Sequence, residues 1–162
     1  MGIYAKKACE NFQKGYNCTQ SVLLAFSEEI GLDENMALKL SSSFGGGMGR
    51  LREVCGAVSA MFMVLGILQG YTSPNDDKIK EKHYLHVQNL AGMFQNKCGS
   101  IICRNLLNLP EGADIPTPSK RTSEYYQSRP CENCIKVAAE IIESEILNAN
   151  NGSNQTNGAN VL

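Results

Sequence analysis

Seven cysteines are the residues of this 162-residue chain best suited to chemistry: Cys9, Cys18, Cys55, Cys98, Cys103, Cys131 and Cys134. The first residues, MGIYAKKACENFQKGYN, hold no apolar export segment or cleavage site. The expectation is therefore a cytoplasmic, reducing location, where metal binding or redox catalysis outranks a disulfide framework. The odd count agrees, because a complete framework needs an even number. Cys55 is the strongest single candidate. It precedes an uncharged run, and no residue from Val54 to Asn75 carries a formal charge. A helix starting near Leu51–Glu53 would place Cys55 in its first turns, where the dipole and Arg50 or Arg52 favour a thiolate. The competing reading is a small buried residue facing another helix.

Upstream of Cys55 lies a glycine turn, Gly45-Gly46-Gly47-Met48-Gly49. A phosphate loop would need Lys and Ser or Thr after its last glycine, but Arg50-Leu51 follows here. A dinucleotide fingerprint needs a third glycine where Arg50 stands. What remains is a set of accessible N–H groups at Gly45, Gly46, Gly47 and Gly49 that could bind an anion or a thiolate. Otherwise the glycines simply let the loop thread between packed helices.

Cys131-Glu132-Asn133-Cys134 is a C-x-x-C pair after Pro130, at a predicted helix start. The β-α-β surroundings of a thioredoxin site are absent, and Ile135 excludes haem attachment. The pair is also half of a zinc site, which Cys98 and Cys103 are too widely spaced to complete. Cys9 reads as a bystander. His83 and His86 read as a solvated helix face, and Tyr125-Tyr126 as packing beneath a loop.

The elements that must position these residues read as helices. Ile3–Lys14 turns Ala5, Ala8, Cys9 and Phe12 to one side, and Gly15 ends it. Asn17 caps a second helix, Cys18–Ile30, with Cys18, Val22, Phe26 and Ile30 on one stripe. Asp33 caps a short third helix with Met36, Ala37 and Leu40 as its apolar face. The central helix runs to Gly70. Gly56 and Ala60 give it a small-x-x-x-small face for close approach. Asp76–Gln95 follows, with Ile79, Tyr84, Val87, Leu90, Ala91 and Phe94 expected inward. CGSIICRNLLNLP forms a short helix closed by Pro110, and Glu111–Pro118 is a loop. Cys131–Leu147 is the last helix, with Cys131, Ile135, Ala138, Ile142 and Ile146 inward. No run alternates with period two, so the fold class is all-α: one compact domain of roughly six to eight helices around a buried central helix. It spans 1–147, followed by a flexible polar tail at 148–162.

Hydrophobic content of 43% and charge of 19% fit a globular chain. A net charge of −1 gives no electrostatic case for nucleic acid or an anionic membrane. The apolar part of the central run ends near Leu68, short for a membrane span.

Read in order, five stretches resemble the C_GCAxxG_C_C family. They are Gly15-Tyr16-Asn17-Cys18-Thr19-Gln20-Ser21-Val22-Leu23, Phe44-Gly45-Gly46-Gly47-Met48-Gly49, Cys55-Gly56-Ala57, Cys103-Arg104-Asn105-Leu106-Leu107, and a cysteine ahead of Ala138-Ala139-Glu140-Ile141. The resemblance covers about Lys7–Ile142. It implies a small helical domain, usually bacterial, regarded as redox-active because of its dispersed cysteines. By that resemblance the family cysteines fall on Cys18, Cys55, Cys103 and one of Cys131 or Cys134. Ala60 replaces the final glycine of the pattern, and Cys98 is extra to it.

Three functions remain open. In the first, Cys55 works with a resolving thiol among Cys18, Cys103, Cys131 and Cys134 in thiol–disulfide electron transfer. In the second, Cys18, Cys55, Cys103 and Cys131 or Cys134 hold an iron–sulfur cluster or another metal. In the third, the cysteines are core residues of an interaction module. The expected partner is a redox protein or small molecule, and pairing into a homodimer stays open.

Overall fold

The computed structural model describes residues 1–112 and 114–148, so all but the first residue of the expected tail lies outside the described residues. The described part is all-α, with eight α-helices and no sheet. Helices α1 (Ile3–Gln13), α2 (Cys18–Ala25), α4 (Gly56–Gln69) and α8 (Cys131–Ile141) form the packed centre. α1 lies against α2 and α8, α2 against α4, and α4 against α8. The long α5 (Asp77–Cys98) covers α8. Helices α3 (Glu34–Ser41), α6 (Cys103–Leu106) and α7 (Ser123–Ser128) are short, and a π-helical turn, Ile142–Leu147, extends α8. No helix among the described residues is long and apolar enough to cross a membrane.

The core follows the apolar stripes. Phe12, Val22, Leu23, Phe26, Met61, Leu65, Leu90, Phe94, Ile135, Ile142 and Ile146 are essentially buried. Central α4 is the most enclosed, with Ala57, Val58, Ala60, Met61, Val64 and Leu65 all inaccessible to solvent. On α5 only Leu90 and Phe94 are fully buried, whereas Ile79 and Tyr84, expected inward, are about half exposed. Met36 and Leu40 of α3 are exposed as well. These elements pack at the rim, so only part of each apolar stripe finds a neighbour.

Several boundaries differ from the sequence reading: the short helix expected over CGSIICRNLLNLP is reduced to Cys103–Leu106, the preceding helix runs on to Cys98, and Ser123–Ser128 adds a helix in the polar stretch. Two further differences concern α2 and α4. The α2 helix stops at Ala25 rather than Ile30, although Phe26 and Ile30 still reach the core. The α4 helix starts at Gly56, so Glu53 is outside it and Cys55 is its N-cap. The reason is the preceding segment, which makes an isolated antiparallel bridge between Val54 and Ile102. Cys55 N–H donates to the Ile101 carbonyl at 2.8 Å, and Cys103 N–H donates to Glu53 at 2.6 Å. These bonds tie 53–55 alongside 101–103 and bring Cys55 and Cys103 together.

Candidate functional site

Four cysteines stand at helix beginnings. Cys18, Cys103 and Cys131 are the first residues of α2, α6 and α8, and Cys55 is the N-cap of α4. The local reasons differ. At α2 the Asn17 side chain accepts from Gln20 N–H, and the Gln20 side chain accepts from Asn17 N–H, a reciprocal cap that fixes Cys18 in the first turn. At α8 Pro130 is the N-cap, and its fixed φ leads the chain into the helix. At α4 and α6 the Val54–Ile102 bridge sets both entry points at once.

The turn at Gly45–Met48 is not a regular helix, because Gly46 and Gly47 adopt φ of 68°. Met48, Arg50 and Arg52 also have positive φ, at 61°, 71° and 64°. Such a run of left-handed residues is costly for side-chain-bearing positions and must be held from outside. Asp114 does so. Its carboxylate takes Arg50 at 2.7 Å and Arg52 at 2.6 Å, and its N–H donates to the Arg50 carbonyl at 3.1 Å. Arg104, itself buried, donates to the carbonyls of Pro110, Gly112 and Leu51 at 2.8, 2.7 and 3.1 Å. Gly47 is required by space as well as by φ, since a Cβ there would come within 2.6 Å of Cys103 Cβ. Gly56 lets α4 approach α2, since a Cβ there would meet Thr19 and Cys18.

The result is a cavity of about 250 Å³ walled by Cys18, Cys103 and Cys131 together with Gly45, Gly46 and Gly49. The same walls carry Arg50, Arg52, Arg121 and Arg129. Cys18 is the acidic thiol of the group, lowered to about 7. The largest cause is the hydrogen bond from the Cys131 thiol, which outweighs burial; Arg121 and the Gly46 N–H add to it. Cys131 is correspondingly pushed far up, by serving Cys18 and by burial, and keeps its proton. The glycine loop thus serves Cys18, through the Gly46 N–H. Arg52 is likewise turned to Asp114 and, at 3.8 Å, to the Cys103 sulfur. Burial nevertheless raises the Cys103 thiol on balance.

Behind this wall lies a second thiol group. Cys134, one turn along α8 from Cys131, hydrogen-bonds Cys55 and is strongly raised by that contact and by burial. Cys98, the last residue of α5, lies against Cys134, and burial raises its thiol too. Six of the seven cysteines therefore form one neighbourhood. Cys9 stays outside, with its sulfur 3.9 Å from the Glu132 carbonyl. All seven are free thiols. The sequence reading set Cys98 aside and overlooked Arg121 and Arg129. The available signal was the aromatic pair beside them: Arg121 lies 4.7 Å from the Phe12 and Tyr125 rings, and Arg129 lies 4.5 Å from Tyr125.

A metal centre needs several donors aimed at one point. Among the described residues no group of three or more His, Cys, Asp or Glu side chains could hold a metal ion. As the side chains stand, the described donors do not converge on one point for an iron–sulfur cluster or another metal. His83 and His86 lie apart on α5, half-buried, with the His83 ring edge-on to Tyr71.

The family model described as "Putative redox-active protein (C_GCAxxG_C_C)" matches residues 16–145. No curated protein and no solved structure matches.

Proposed function

The chain belongs to the C_GCAxxG_C_C family, and from that premise we propose that it is a thiol–disulfide exchange protein in which Cys18 attacks and Cys131 resolves. The observation that supports this most is that the two sulfurs line one cavity and hydrogen-bond each other, at the starts of α2 and α8. An attacking thiol works best when its pKa lies near ambient pH, and Cys18 meets that condition.

The exchange balances with a disulfide R–S–S–R′ as oxidant. The Cys18 thiolate attacks one sulfur, the S–S bond breaks, and R′–S⁻ leaves. Cys131 has then lost the thiolate that held its proton, and the proton passes to R′–S⁻. The Cys131 thiolate attacks the Cys18 sulfur, R–S⁻ leaves, and a Cys18–Cys131 disulfide closes. Two electrons have moved from the dithiol to the substrate. Cys134 and Cys55, behind Cys131, provide a second dithiol to which the bond can be passed.

The test is trapping. Reduced protein is mixed with hydroxyethyl disulfide, quenched in acid and mapped by mass spectrometry. Cys131→Ala accumulates a mixed disulfide on Cys18, while Cys18→Ala forms none in the cavity. Accumulation on Cys55 or Cys134 in the Cys131 variant, with Cys18 unmodified, would remove Cys18 from the attacking role. A cluster-holding role for the cysteines, the alternative from the sequence, has no support in the geometry of the donor set.

A further inference from the structure

We infer that the cavity beside Cys18 selects a small disulfide carrying an anionic group, with that group on Arg121 and Arg129 and its sulfur at Cys18. This rests on the exchange reading and adds the chemical class of substrate. Four guanidinium groups and no carboxylate line the cavity. Two of the four are already matched, because Arg50 and Arg52 share Asp114. Among the described residues the other two make no ion pair. Arg121 donates from Nη2 to the Tyr16 carbonyl at 3.2 Å, and its Nη1 is buried with no hydrogen-bond partner. Among the described residues the one side-chain hydrogen bond of Arg129 goes to the Ser119 hydroxyl, at 3.5 Å, beside its contact with the Tyr125 ring.

A buried guanidinium nitrogen without an acceptor is costly, and a planar fork of donors matches a carboxylate or a similar oxyanion. Arg121 lies 4.7 Å from each of the Phe12 and Tyr125 rings, contacts that hold it in place while its Nη1 stays without a partner. Tyr125 lines the cavity together with Cys18, Cys131, Arg121 and Arg129, so the arginine pair and the sulfur pair share one space. The size of the space decides between a small molecule and a macromolecule. At about 250 Å³ it is just below the ~300–1,000 Å³ of ordinary ligand pockets. Its far wall, with Pro116 and Pro118, is tied to the glycine loop through Arg50, which donates to the Ile115 carbonyl at 2.6 Å. A fixed small recess fits a small anionic disulfide rather than a protein loop.

The experiment compares three disulfides of similar size on the reduced protein: dithiodiglycolate, hydroxyethyl disulfide and cystamine. Rates of modification at Cys18 are divided by the rates of the same reagents with 2-mercaptoethanol, which removes intrinsic reactivity. Dithiodiglycolate should lead the neutral reagent by on the order of tenfold, and cystamine should trail both. Added salt should shrink the lead. Arg129→Gln should bring the anionic-to-neutral ratio towards one, and Arg129→Lys should keep most of it. The salt dependence of the unmodified protein gives the same answer if the glutamine variant does not fold. Equal normalised rates, or a lead for cystamine, would overturn the anionic preference and leave the exchange reading intact. Exchange with a disulfide-bearing protein but with none of the three reagents would overturn the small-molecule class. Absence of any exchange at Cys18 would remove the exchange reading, and this inference with it.

Discussion

The sharpest consequence of the site geometry is the pH dependence of Cys18. With its thiol lowered to about 7, roughly half is thiolate at pH 7. A free thiol near 8.5 is about 3% thiolate there, so Cys18 holds about a sixteenfold excess of the reactive form. Lower basicity also weakens the nucleophile; with a Brønsted slope near 0.45 the drop of about 1.5 units costs roughly fivefold. The net advantage over a free thiol is about threefold at pH 7 and about sixfold at pH 6. The sign follows directly: reactivity is present above about 7 and declines as the pH falls through it. The assay is iodoacetamide labelling of the reduced protein across pH 5–9, read peptide by peptide. Cys131→Ala removes the thiol donor and should move the Cys18 inflection up towards the free-thiol range, whereas Cys131→Ser keeps an O–H donor and should move it less. An inflection for Cys18 at or above the free-thiol value, or one that Cys131→Ala leaves in place, would refute the reasoning.

Gly47→Ala puts a methyl group against Cys103 at a positive φ, and it should destabilise the fold by about 2–3 kcal/mol in urea titration; an unchanged midpoint would mean the loop yields freely. Asp114 is held below the usual carboxylate range, first by its hydrogen bond from Arg52. Its support for the loop is therefore present above about pH 4 and fades as the pH falls through the lowered value. Asp114→Asn should abolish that acid limb and speed amide exchange at Arg52 and Glu53, and identical exchange in both proteins would count against the latch. Purified without oxygen, the protein should be colourless and free of iron by elemental analysis; a brown protein with stoichiometric iron would restore the metal reading.

Much of the fold was legible because helix signals are local. The Asn17 cap, the buried stripe through Val22 and Phe26, and the run from Gly56 to Leu65 were legible, although Phe26 lies just past the end of α2. What could not be read depends on partners far along the chain. The start of α4 is set by a single bridge to Ile102, and one bridge leaves no period-two pattern in sequence. The glycine loop was recognisable as a set of free N–H groups, but which sulfur it faces is a tertiary fact: Gly46 turns to Cys18, some 28 residues earlier, rather than to the nearer Cys55. Arg121 sits in a polar, proline-flanked stretch with no periodicity, and its contacts with Phe12, Tyr125 and the Tyr16 carbonyl bring it to the cavity. Cys98 ends α5, so its place beside Cys134 depends on the packing of α5 on α8.

The two sulfurs of the outer pair lie near opposite ends of the chain, on α2 and α8. A bond between them would enclose about 110 residues, and cross-linking a loop of that length removes roughly 4–5 kcal/mol of freedom from the unfolded chain. For a domain of this size, one kcal/mol moves the melting temperature by about 2–4 °C. Oxidation would therefore raise it by roughly 8–20 °C, and reduction would return the chain to a looser, more readily digested form. The exchange proposed for this cavity would thereby set the lifetime of the molecule as well as its chemistry.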